Sequence, residues 1–275
     1  MVFHALTNQR LSLVNMCESA RFKTWGKLRR LNDESTDSFA LASISPLLKP
    51  LFSPVAKFSW QGGENIPKTG PVIIAANHIS SLDPVLLGLF LAHQGRWPHY
   101  LARANLWENK LLKKILVNSG QIPVHRATAK AIESLAEAEK SLVKGNAVII
   151  YPEGTITFDP LEWPMAIHVG VAKLALMAKQ NVVPVGQWGA NYLLPPRKIR
   201  KPSLKHREIR VVAGQPVDLS DLFSDSPDRE SVGEASRRIF KAILAKTADA
   251  RRELIPETVW NHRKKQRVSP VEPVR

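Results

Sequence analysis

Three short runs constrain this chain more than any other feature: Val72–Ala76, Ala147–Ile150 and residues 182–185. Each consists of apolar, mostly β-branched residues. A strand without a polar face has to be covered on both sides, so these runs read as buried strands of a sheet between helices. The stretches between them fit. Residues 128–144 carry Ile132, Leu135, Ala138 and Leu142 on one helical stripe, and Gly145 follows as a stop. Helices are predicted over 84–93, over 106–119 (Leu111, Leu112, Ile115 and Leu116 at helical spacing), over 168–180 and over 228–252. Further strands are predicted at 98–103, 121–125 and 208–213. This alternation predicts an α/β fold, a mixed sheet flanked by helices.

The ends read differently. Residues 1–38 mix basic and apolar groups (Lys23, Trp25, Lys27, Leu28, Arg29, Arg30, Leu31), as an interfacial or a solvated extension would. The apolar stretch 41–58 is broken by Pro46, Pro50 and Pro54, which excludes one continuous helix. It suits either short helical pieces in a lipid headgroup layer or a buried strap. The expected organisation is an extension over 1–38 with a membrane-contacting helical segment, a domain over 39–255, and a basic tail over 256–275. No apolar run reaches the length of a transmembrane helix, and no signal peptide is expected. Cys17 is the single cysteine, so neither an internal disulfide nor a thiolate cluster can form. Lys and Arg number 39 against 24 acids, a formal charge of +15 that favours an anionic partner.

Chemistry concentrates at strand ends. In Asn77-His78-Ile79-Ser80-Ser81-Leu82-Asp83-Pro84 a buried strand stops at Asn77, and Pro84 suits the first turn of a helix. His78 and Asp83 therefore share one strand-to-helix turn, where α/β sheets place their ligands. A carboxylate there can hold one ring nitrogen and fix the tautomer, leaving the other nitrogen to accept a proton from a hydroxyl. Read from the turn alone, Asp83 serves equally well as a helix cap, with His78 as an incidental loop residue. Tyr151-Pro152-Glu153-Gly154-Thr155 leaves the strand Ala147–Ile150. Gly154 allows a ligand near the backbone, Thr155 offers a hydroxyl, and Glu153 can accept from a substrate hydroxyl or hold basic groups in place. Ile122-Pro123-Val124-His125-Arg126 ends on a guanidinium suited either to bidentate phosphate binding or to a surface ion pair.

Together these segments resemble the 1-acyl-sn-glycerol-3-phosphate acyltransferase family over roughly residues 40–215. The Asn-His-x4-Asp block is matched by Asn77, His78 and Asp83. The Ile-Pro-Val-x-Arg block is matched by residues 122–126, the Pro-Glu-Gly-Thr block by 152–155, and the Val-Pro-Val block by 183–185. The resemblance implies a general base at His78 oriented by Asp83, with Asn77, Glu153, Gly154 and Thr155 around the substrate. It implies acyl transfer from acyl-CoA or acyl-carrier protein to the free hydroxyl of a lysophospholipid, giving phosphatidic acid. No metal or other cofactor is expected. The expected place of work is the cytoplasmic face of the membrane, as a peripheral or monotopic protein. Backbone N–H groups near the 77–83 turn are expected to stabilise the oxyanion. One departure matters. The Pro-Glu-Gly-Thr block usually continues with an Arg that helps bind the substrate phosphate, and here Ile156 follows. A phosphate site must then use Arg126, Arg103 or His168.

Rival readings stay in view. The acceptor is open to another lysolipid or glycerol-3-phosphate itself. The basic clusters at 197–210 and 263–267 suit nucleic acid as well as anionic lipid, although no nucleic-acid motif accompanies them. Ile156 also fits a lipid-binding protein without catalysis. Two chemistries are disfavoured. Pro67 breaks the P-loop-like run 62–69, and no Gly-x-Ser-x-Gly elbow exists for a serine acyl-enzyme.

Overall fold

The computed structural model describes residues 52, 54–124, 130–196, 201–203, 205–224 and 226–270. The extension expected at 1–38, its membrane-contacting segment and most of the stretch 41–58 lie outside these residues.

The chain runs β1 (Ala56–Gln61), β2 (Val72–Ala76), α1 (Asp83–His93), β3 (Pro98–Arg103), α2 (Lys110–Asn118), β4 (Ile122–Val124), α3 (Lys130–Val143), β5 (Ala147–Ile150) and α4 (Gly170–Met177). It continues with β6 (Val182–Trp188), the one-turn α5 (Ala190–Leu193), β7 (Arg207–Ala213), α6 (Arg229–Arg251), β8 (Val259–Asn261) and β9 (Gln266–Val268). Seven strands form a mixed sheet in the order β1-β7-β6-β2-β5-β3-β4. From β6 to β4 all neighbours are parallel. β7 runs antiparallel to β6, and β1 runs parallel to β7. The carboxyl ends of β2, β5 and β3 therefore open on one edge, which brings His78, Glu153 and Arg103 to the same side of the sheet.

The alternation of β2 shows how the layers form. Ile73 and Ala75 pack into a cluster with Leu142 of α3, Leu174 of α4 and Ile239 and Phe240 of α6. Val72, Ile74 and Ala76 face the other way, against Leu87, Phe90 and Leu91 of α1. Side chains two apart share a face, so an all-apolar strand needs helices on both sides, and this fold supplies them. Arg96 is wholly buried at the opposite edge of the sheet. It donates to the carbonyls of Pro67 (2.6 Å), Gly70 (2.8 Å) and Gly145 (2.8 Å), tying together the loops that feed β2 and β5.

Three sequence expectations change. Residues 56–61, which overlap the stretch read either as helical pieces in a headgroup layer or as a buried strap, are the edge strand β1, with Ala56 and Ser59 buried. The helix expected over 106–119 is a 3-10 turn at Ala104–Glu108 followed by α2. The break falls at Asn109, whose side chain accepts from the N–H groups of Leu111 and Leu112 and so starts a new helix. Residues 259–268, expected within a tail, form the β8–β9 hairpin, and Val259 and Val268 join the core beside Trp163 and Ile167.

Strand β6 and helix α6 approach closely enough to require a glycine. A Cβ at Gly186 would sit 2.0 Å from the Lys246 carbonyl oxygen, whereas one at Gly233, on the same helix α6, would meet nothing within 4 Å. Gly186→Ala is expected to lower stability by about 1–3 kcal/mol or more, because the helix must move off the sheet. Gly233→Ala is expected to raise it by up to about 1 kcal/mol through helix propensity. Urea unfolding of the two variants checks both signs.

Candidate active site

Strand β2 stops because the next side chain leaves the sheet's apolar pattern. Asn77 is fully buried, and its amide donates to the Gln187 carbonyl (3.1 Å) and accepts from the Gln187 N–H (2.7 Å). The Gln187 side chain donates back to the Asn77 carbonyl (3.1 Å). This double lock fixes the exit of β2 against β6. Asn77, expected to contact substrate, has its amide engaged in holding β2 to β6.

The turn that follows wraps around one carboxylate oxygen. Asp83 Oδ2 accepts from Ile79 N (2.6 Å), from Ser80 N (2.8 Å) and from His78 Nδ1 (2.9 Å). Asp83 is fully buried and makes no side-chain cap bond to α1. The helix-cap reading therefore fails: the carboxylate serves the turn and the histidine. With Nδ1 engaged, Nε2 is the imidazole nitrogen left for a substrate. The ring itself rests on Tyr151, centroids 4.3 Å apart and 23° from parallel. Tyr151 in turn stacks on Tyr100 at 6.1 Å. Burial pushes both phenols well above their ordinary value, with the Asp83 charge adding to the effect, so both stay neutral.

Glu153 holds the same turn from the β5 side. Its Oε1 accepts from His78 N (2.8 Å) and its Oε2 from Met165 N (2.9 Å). It is buried, and its oxygens hold backbone N–H groups rather than the basic groups expected. Burial away from water, with Asp83 and Asp159 nearby, pushes its carboxyl up to about 8 against the opposite pull of the two N–H donors. Thr157 N donates to the His78 carbonyl (2.8 Å). His78 is therefore gripped through its backbone N–H, its carbonyl and its Nδ1.

These contacts change the expectation for the oxyanion. The N–H groups of His78, Ile79, Ser80, Leu82 and Asp83 all donate within the protein, the last two to Ser80 Oγ and Ser80 O. Of the expected donors from 78 to 83, only Ser81 N is uncommitted among the described residues.

His78 opens into a cavity of about 800 Å³ between α1, β3, the turn before α2 and the end of α2. Its walls are apolar: Val85, Gly88, Leu89 and Ala92 from α1, Pro98 and Leu101 from β3, with Leu106 and Leu116 beyond. Gly154, Thr155 and Ile156 line the end that holds His78, and Arg103 lines the cavity from the end of β3. Gly154 has φ 72°, the left-handed region where glycine is favoured. His168 is exposed and does not line the cavity. Arg126 lies outside the described residues. The last residue of β4, Val124, stands opposite Arg103 in register. Among the described residues no group of three His, Cys, Asp or Glu gathers as a metal site.

Sequence reasoning missed Tyr100, Tyr151 and Gln187. Gln187 carried a signal, a polar residue ending a buried apolar strand. The tyrosine stack carried none, because its rings come from β3 and the exit of β5.

The acyltransferase family matches residues 57–188, from β1 through β6, which include His78, Asp83 and Glu153. A 1-acyl-sn-glycerol-3-phosphate acyltransferase of Bacillus subtilis is 26% identical over 181 residues, 66% of this chain and 83% of that protein. A protein of the same name from Borreliella burgdorferi is 32% identical over 135 residues, 47% of this chain and 50% of that one. Tafazzin of Drosophila melanogaster is 26% identical over 211 residues, covering 72% and 53%. In fold, the chain resembles the crystal structure of a 1-acyl-sn-glycerophosphate acyltransferase from Thermotoga maritima. The TM-score is 0.61 at 21% identity, over 79% of this chain and 82% of that one.

Two predictions follow from the geometry. His78→Ala is expected to cut acyl transfer by about 10²-fold or more with the fold intact by circular dichroism, since the proton acceptor is gone. Residual activity above about a tenth would exclude the role. Glu153 gives a pH signature. Its folded-state value is raised, so its proton favours folding below the ordinary carboxylate range, and that stability is lost as pH rises through about 8. Glu153→Gln, neutral throughout, should flatten the fall in Tm between pH 5 and 9 seen for the unsubstituted chain. Parallel Tm–pH curves would contradict the assignment.

Proposed function

We propose that this chain, which belongs to the acyltransferase family, moves a fatty acyl group from a thioester donor to the free hydroxyl of a 1-acylglycerol-3-phosphate, making phosphatidic acid. The observation that carries the reading is the join of a histidine–aspartate pair to one end of a long apolar cavity. A base alone fits many hydrolases and transferases. A base at the mouth of an apolar cavity of this volume suits a substrate with an alkyl chain.

In this reading the acceptor hydroxyl lies against His78 Nε2 and gives up its proton as its oxygen attacks the thioester carbonyl. Asp83 keeps Nδ1–H in place and balances the imidazolium charge. The tetrahedral intermediate collapses, the C–S bond breaks, and the thiolate takes the proton back from His78. The products are the ester and a free thiol, with no acyl-enzyme and no step that calls on a metal. The donor is acyl-CoA or acyl-carrier protein. Arg103, exposed at the cavity lining, and Arg126 are the residues we assign to the acceptor phosphate. We place the protein at an anionic membrane surface on the cytoplasmic face, held there without a spanning segment. Among the described residues no helix is long and apolar enough to cross a membrane, and the charge of +15 suits acidic lipid.

A second reading keeps the chemistry and changes the acceptor to another lysolipid. Ile156 favours it: an apolar side chain lines the cavity at the position where the motif usually continues with Arg.

Thiol release from acyl-CoA, measured across a panel of lysolipids, tests both readings. Fastest turnover of 1-acylglycerol-3-phosphate supports the first. A neutral or zwitterionic lysolipid in first place supports the second. Release with no lysolipid excludes both. Arg103→Ala is expected to raise the KM for the phosphate acceptor about tenfold and leave that for acyl-CoA nearly unchanged, the loss of one charge-assisted pair. Equal changes in both constants would move Arg103 away from the acceptor phosphate.

A further inference from the structure

Helix α2 is the one surface of the described domain where exposed apolar and basic residues alternate along a helix. None of its residues is buried. Leu111 is 72% exposed, Val117 54% and Ile115 49%. Leu112 and Leu116 are half-buried, and Leu116 turns far enough inward to line the cavity. The helical repeat sets Leu111 and Ile115 in one row, with Lys110 and Lys114 in the next row outward and Lys113 beyond. All three lysines are exposed, and none pairs with a carboxylate among the described residues. The helix itself contains no acid, and Glu108, in the turn before it, is the nearest.

We infer that α2 is a membrane-docking element. Its Leu111–Ile115 row enters the acyl boundary of an anionic bilayer, while Lys110, Lys113 and Lys114 rest among the headgroups. Amphipathic helices lie in an interface in this way, with long lysine stems reaching back to the phosphates. The charge complementarity selects the occupant: a second protein copy carrying the same +15 would meet repulsion, and an anionic lipid surface would not. Position gives the docking a purpose. Leu106 of the preceding turn and Val85 of α1 line the same cavity and are themselves partly exposed, 38% and 39%. Docked on α2, the part of the cavity lined by Leu106 and Val85 faces the bilayer, so a lysolipid can pass into it without crossing water. The inference rests on the acyl-transfer reading for the lipid it admits, but the docking itself is measurable without turnover.

The test uses the full chain with Cys17→Ser and Leu111→Cys, labelled at position 111 with a polarity-sensitive dye. Vesicles of phosphatidylcholine are compared with vesicles that also contain phosphatidylglycerol. A blue shift with the anionic vesicles is expected, and replacing Lys110, Lys113 and Lys114 with Gln should raise the lipid concentration needed by about fivefold per lysine. In the unlabelled chain, Leu111→Ser with Ile115→Ser should cut vesicle flotation by about tenfold or more. It should also slow turnover of a vesicle-embedded acceptor, while turnover of a dispersed short-chain acceptor stays unchanged. A chain that floats with vesicles while the dye does not shift overturns the inference. So does a dye already shifted without vesicles, which would place another part of this chain, or a second copy, on the helix. A vesicle-induced shift in a chain that acylates no acceptor leaves the docking standing and removes the acyl-transfer reading instead.

Discussion

One carboxylate oxygen organises the site. Asp83 Oδ2 takes hydrogen bonds from two successive backbone N–H groups and from the His78 ring. The two N–H bonds close the turn that carries the chain from β2 to α1, and the ring bond aims the imidazole. Turn and imidazole are therefore set by the same atom. Removing the carboxylate would free the histidine and at the same time leave two buried donors unsatisfied, a cost of about 1–3 kcal/mol each. Because Oδ2 already collects the donors of Ile79 and Ser80, those two N–H groups are closed to a ligand.

The surroundings follow from holding that oxygen still. Asp83, Glu153 and Asp159 are buried acids close to one another, an arrangement with a desolvation cost that only satisfied partners can offset. Glu153 spends both oxygens on backbone N–H groups. Asp159 accepts from Arg267 at 2.8 Å, and Ala166 N donates to the Trp260 carbonyl. Phe158 also stacks on His262 at 3.8 Å. The C-terminal hairpin is thus a brace on the 156–168 loop, which reaches the base through Thr157 and the His78 carbonyl.

Much of this was legible in the sequence, for a physical reason. β2 and β5 fall at the residues expected because a run with no polar position has no alternative environment in a soluble fold. The proximity of His78 to Asp83 was legible because both lie on one turn, five residues apart. What failed to show was long-range or weakly patterned. Asn77 finds Gln187 across 110 residues, Glu153 finds His78 across 75, and Arg96 ties loops up to 49 residues away. No local spacing encodes such pairs, so the contacts by which Asn77 and Glu153 hold the frame do not show in the sequence. β1 did carry a signal. Ala56, Phe58 and Trp60 alternate with Lys57, Ser59 and Gln61, but the prolines just before them drew the reading towards a broken interfacial stretch. The β8 and β9 strands are three residues each, too short for periodicity to rise above a basic, loop-like composition.

The central claim is that Asp83 fixes the tautomer of His78 so that Nε2 faces the substrate as a proton acceptor. Nitrogen-15 NMR of the histidine side chains, with the His78 signal identified by its loss in His78→Ala, reads this directly. The account predicts a protonated Nδ1 and an unprotonated Nε2 at a pH where the ring is neutral, with that preference lost in Asp83→Ala. A neutral His78 protonated at Nε2, or one whose tautomer is indifferent to Asp83, would contradict it.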